Sequence, residues 1–163
     1  MKKILTMAAI ILINFILQTS LNSFLDIFGV IPNISLILVV IFSVMTNGVI
    51  GGILGLFTGM LYDIMFYEVF GIFTLIYFII GVLSGYFSEE INKENYSMYC
   101  TIVFIATIVM NFSIYIISFF LNYNIEKAYL FVGKNLLELF LNTVLTILIM
   151  KFIVSLFNKL NIK

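Results

Sequence analysis

The chain has 163 residues, 63% of them hydrophobic and 10% charged, with eight basic residues balancing eight acidic ones. A soluble domain carries about 25% charged residues, so this inventory excludes a water-facing globule. All eight bases are lysines without a phosphate-neutralising cluster, there is no histidine, and Cys100 is the only cysteine; nucleic-acid binding, imidazole chemistry, histidine metal sites and an intrachain disulfide are thereby disfavoured or excluded.

The first apolar window follows Met1-Lys2-Lys3 and imitates a signal peptide. Its apolar part outruns the usual ~7–15 residues of such a leader, and no small-x-small cleavage site follows, so it reads as an uncleaved first span over residues 4–24. Asn14 and Gln18 stand at i, i+4 in it and predict interhelical hydrogen bonds of around 0.6 kcal/mol each.

Residues 27–62 then run without a single charge. One crossing takes about 20 apolar residues, so this stretch is too long for one span. Thr46-Asn47-Gly48 is a turn signal that divides it, predicting spans at 32–46 and 48–66. Pro32 suits the first turn of the second helix, where its missing N–H costs nothing.

The third span carries Gly48, Gly52, Gly55, Gly59 and Asp63 on one helix face. Small residues let a neighbouring helix approach closely, so the face predicts either packing within the chain or docking of a partner's transmembrane helix. Asp63 falls near the outer end of that span, where a carboxylate costs far less than at the bilayer centre. It reads either as a structural group held by polar neighbours or as a gripping point for a partner or a small cation.

A fourth span is expected at 71–88, with Gly81-x3-Gly85 as a second small-residue pair. Residues 88–97, holding Glu89, Glu90, Lys93 and Glu94, read as an aqueous loop. The fifth span, 98–121, contains Asn111, and Cys100 in its apolar run reads as an inert packed thiol. Residues 122–133 read as the longest loop. The sixth span, 135–157, begins beside a stripe of Lys134, Glu138 and Asn142 at i, i+4, i+8, which predicts a Lys134–Glu138 ion pair. Six spans and a cytoplasmic N-terminus place six lysines inside and two outside; five spans would give four against four. The bias of lysine toward the cytoplasm therefore favours six spans with both termini inside. The expectation is one all-α polytopic membrane domain over residues 1–163, a bundle of six transmembrane helices with no cofactor or metal. No nucleophile–base pair or carboxylate dyad can be located, so no enzyme is expected.

Residues 32–88 resemble the MreD family of bacterial rod shape-determining membrane proteins. Pro32-Asn33 opens an apolar span, Gly52-x2-Gly55-x3-Gly59-x3-Asp63 follows, and Gly71 and Tyr77 precede Gly81. The resemblance extends loosely over the whole chain. It implies a non-enzymatic scaffold of the bacterial cell-elongation complex, which inserts lateral-wall peptidoglycan from the plasma membrane. The implied partners are an MreC-like bitopic protein and, indirectly, actin-like MreB, a SEDS glycosyltransferase and a penicillin-binding transpeptidase. It also implies a fold similar to the substrate-binding S-components of energy-coupling-factor vitamin transporters, and such a component is the alternative reading. Span one has only Ala8-Ala9 where an S-component would show Ala-x3-Ala, and the chain lacks Trp and Arg.

Overall fold

A computed structural model describes residues 2–20, 26, 29–66, 70–89, 95–120 and 128–160. Six α-helices make up nearly all of it: α1 (Lys2–Ser20), α2 (Ile34–Met45), α3 (Gly48–Phe66), α4 (Ile72–Tyr86), α5 (Tyr96–Phe120) and α6 (Ala128–Lys159), with a 3-10 turn, Phe87–Glu89, after α4. Four of them, α1, α3, α5 and α6, are long and apolar enough to cross a membrane. Large apolar side chains such as Leu5, Ile64, Phe112 and Phe152 stand more than half exposed on these helices. So much exposed hydrocarbon suits lipid and not water.

α2 and α4 have 12 and 15 residues. At about 1.5 Å per residue they rise roughly 18 and 22 Å, short of the ~30 Å hydrocarbon core. For α2 the reason is its position. It touches every other helix, and ten consecutive residues, from Ser35 to Val44, are buried. A helix sheathed by protein can end inside the bilayer, because neighbouring side chains satisfy its terminal backbone groups.

The start of α2 shows how. Pro32 lies before the helix rather than in its first turn, because Asn33 takes the N-cap position and its Oδ1 accepts from the Leu36 amide at 2.9 Å. The Pro32 carbonyl accepts instead from Ile34 N at 3.1 Å and from Gln18 Nε2 of α1 at 3.0 Å. At the other end the two-residue break is as tight as the sequence suggests. Asn47 caps α3, its side-chain oxygen accepting from Ile50 N and its carbonyl from Gly51 N, both at 2.9 Å.

Further boundaries differ from expectation. α6 begins at Ala128, so half of the expected 122–133 loop is helical, and Gly133, which the sequence marks as the loop's end, lies inside the helix. Tyr96 begins α5 inside the expected 88–97 loop, and Phe87–Glu89 forms the 3-10 turn. Residues 90–94 and 121–127 lie outside the described residues.

α3 and α4 form the closest helix pair. A side chain at Gly55 would meet the Tyr77 carbonyl, at Gly59 the Thr74 backbone and at Gly48 the Val82 carbonyl. Gly51 and Gly81 face each other backbone to backbone, and Gly85 faces Asn47 and Gly48. The pairs 48/85, 51/81, 55/77 and 59/74 run antiparallel in steps of about one turn. Four glycines in the interior of α3 cost its isolated helix about 1 kcal/mol each relative to alanine. Backbone-level contact with α4 offsets that through dispersion, which large side chains would prevent.

Candidate functional site: a polar cluster at one end of the bundle

Asp63 closes the α3–α4 ladder. It is 1% exposed, and its carboxylate points at the start of α4. Oδ1 accepts from Phe73 N at 2.9 Å, and Oδ2 accepts from Gly71 N at 3.0 Å, from Thr74 N at 2.9 Å and from the Thr74 hydroxyl. Gly71, the α4 N-cap, has φ +110° and no side chain with which to cap. A helix N-terminus offers unpaired amides and a partial positive charge, which a carboxylate satisfies together. Asp63 thus does for α4, from the neighbouring helix, what Asn33 does for α2 from its own chain position. Its partners are backbone amides and Thr74, which the sequence does not reveal.

Beside Asp63, Tyr62 faces the interior. Its ring packs on Phe15 at 5.2 Å, Tyr77 at 5.5 Å and Phe73 at 5.7 Å between centroids. Its hydroxyl lies 3.1 Å from Ser35 Oγ and 3.5 Å from Gln18 Oε1. Asn14 of α1 donates to Ser35 at 2.9 Å. The polar residues of α1 therefore join α2 and α3 through a shared centre.

Asn33 ties the remaining helices. Its Oδ1 accepts from the Tyr77 hydroxyl of α4 at 3.0 Å, and its Nδ2 lies 3.4 Å from Met110 Sδ of α5. Its backbone N–H donates to Asn142 Oδ1 of α6 at 2.8 Å. Asn142 is fully buried and donates in turn to Thr107 of α5 at 3.2 Å. Groups that read as scattered interhelical bonds in the sequence converge here.

Glu138 corrects an expectation. It accepts from Asn111 Nδ2 of α5 at 3.1 Å. The expected ion pair with Lys134 is not formed among the described residues. Lys134 is exposed and its Nζ lies near the Gly29 turn, 4.0 Å from where a Cβ would stand. One helical turn separates the two residues, but α6 aims one at α5 and the other outward.

Gln18, Thr19, Ile31, Asn33, Tyr62, Phe73, Met110, Asn111, Ile114 and Glu138 enclose an open cavity of about 320 Å³. They come from the end of α1, the approach to α2, the end of α3, the start of α4, the second half of α5 and the first part of α6, all at one end of the bundle. The α3 glycines, Gly81 and Gly85 lie elsewhere, along the α3–α4 contact. Reasoning from the sequence missed Gly51, Ser35, Tyr62, Thr74 and Thr107. Gly51 shares the four-residue spacing of Gly55 and Gly59 but stands beside Gly52, which the sequence reading places on the glycine face; a lone hydroxyl in an apolar helix carries no signal until its neighbour is known.

No curated protein and no solved structure matches the chain. A family model described as rod shape-determining protein MreD matches residues 1–160. With a match over nearly its whole length, six helices and a carboxylate that ends a glycine-lined helix contact, this multi-pass membrane protein belongs to the MreD family, which has a role in rod shape determination.

Proposed function

We infer that the protein is a non-enzymatic scaffold in the plasma membrane that holds an MreC-like bitopic partner within the cell-elongation complex. The observation that carries this reading is how little surface the chain has outside its helices. α2 and α3 are joined by two residues, and the described helices span most of the sequence. A stable protein interface buries about 1,200 Å² or more, which such connections do not supply, so a partner is met through helix surface in the bilayer. Because α4 occupies the α3 glycine face, the partner's helix takes an outward-facing surface of the bundle. Lysine placement gives the orientation in this proposal, with both termini cytoplasmic. The alternative, a vitamin-binding S-component, draws no support from the comparisons.

The test is depletion in a rod-shaped host together with co-purification. Depletion should round the cells and scatter lateral-wall synthesis, and the protein should retain an MreC-like partner in mild detergent. Tight vitamin binding by the purified protein, with cell shape indifferent to its loss, would overturn this reading.

A further inference from the structure

The cavity at the Glu138 end carries an inference beyond scaffolding. Its lining combines one carboxylate, three side-chain amides and two aromatic rings: Glu138, Gln18, Asn33, Asn111, Tyr62 and Phe73. Each polar group is already held. Gln18 donates to the Pro32 carbonyl, Asn33 caps α2 and accepts from Tyr77, and Asn111 donates to Glu138. Side chains fixed in this way form a site whose ordering cost is met before any ligand arrives.

The charge pattern selects the ligand. Glu138 accepts from the neutral amide of Asn111, and no lysine lies within ion-pair distance of Glu138 among the described residues. A carboxylate held within a membrane domain is favoured by a cation, and none is supplied here among the described residues. Tyr62 and Phe73 line the same cavity, and aromatic rings attract an organic ammonium. At about 320 Å³ the cavity is at the small end of ligand pockets.

We propose that this cavity binds a small primary ammonium group, with Glu138 as its counter-ion and the Tyr62 and Phe73 rings beside it. The chemistry is shared by a water-soluble amine and by the headgroup of an aminophospholipid. The amide oxygen of the lining residue Asn111 is the acceptor assigned to a remaining ammonium hydrogen, and the site stands whether or not the scaffold reading does.

The experiment uses the full chain in nanodiscs of phosphatidylglycerol. Ethanolamine is titrated against ethylene glycol, a neutral molecule of similar size, and thermal unfolding is followed. A site for a soluble amine gives a saturable rise in Tm of roughly 5 °C with ethanolamine, none with ethylene glycol, and none in Glu138→Gln. A site for a lipid headgroup gives no response to ethanolamine but a rise when phosphatidylethanolamine replaces part of the lipid, again lost in Glu138→Gln. Either result supports the proposal. No rise in either arm, or an equal rise in wild type and Glu138→Gln, overturns it. If Glu138→Gln does not assemble, Glu138→Asp takes its place; a midpoint shifted to at least about tenfold higher probe concentration is expected, and an unchanged midpoint overturns the proposal.

Discussion

Replacing Asp63 by alanine separates a structural carboxylate from one that grips a partner. The side chain accepts from three backbone amides and one hydroxyl at the start of α4. The Phe73 bond is buried, while those to Gly71 and Thr74 are partly so. An orphaned buried donor costs about 1–3 kcal/mol, and loss of a helix cap costs about 0.5–2 kcal/mol. Together these predict a loss of about 2–4 kcal/mol for Asp63→Ala, since water replaces part of the exposed share. The assay is thermal or SDS unfolding of the purified protein, paired with hydrogen exchange at α4. The Phe73 and Thr74 amides should lose protection first, and Asp63→Asn should fall between, because its Nδ2 turns a donor toward donors. Unchanged stability and unchanged protection, accompanied by loss of a co-purifying partner, would refute the argument and make Asp63 a docking group.

Gly55→Leu and Gly59→Leu each drive a side chain into α4 backbone, so both should deplete the protein from the membrane; normal abundance and normal melting would contradict the packing described. Asn33→Ala removes the acceptor of Leu36 N and of the Tyr77 hydroxyl and should cost about 1–3 kcal/mol in unfolding measurements, while Asn33→Asp, which keeps the acceptor, should recover much of it. For orientation, a Cys100→Ser background should make Asn124→Cys accessible to an impermeant thiol reagent on intact cells, and Asn92→Cys and Asn161→Cys inaccessible. Labelling at 161 from outside would end the six-span assignment.

Helix number and order were legible because bilayer thickness imposes a length on apolar runs, and Asn47-Gly48 marks the one place where two runs touch. Helix ends were less legible. Ala128 starts α6 upstream of Lys134, and Pro32 lies outside α2, because caps and buried polar partners set those ends. The glycine face was visible as a face, but its neighbour was not: nothing in the spacing of Gly55 and Gly59 identifies Tyr77 and Thr74 as what they touch. The polar cluster was least legible. Asn14, Gln18, Asn111, Glu138 and Asn142 each looked like a local event, and only the antiparallel order of the helices brings them to one end. Lys134 and Glu138 mark the limit of pairing by spacing, since two residues one turn apart still choose partners by what lies across from them.

The α3–α4 contact has a consequence for register. Glycines recur every four residues on both helices, at 51, 55 and 59 on α3 and at 81 and 85 on α4. Sliding α4 by one turn, about 6 Å, would bring Gly51 against Gly85 and Gly55 against Gly81, an arrangement with equally smooth backbones. The glycine ladder by itself is therefore degenerate. Asp63 is not, because free amides exist only in the first turn of α4 and the carboxylate meets them at one offset alone. The slippery part of the pair supplies adhesion, and a single carboxylate acts as the detent that selects which tooth engages.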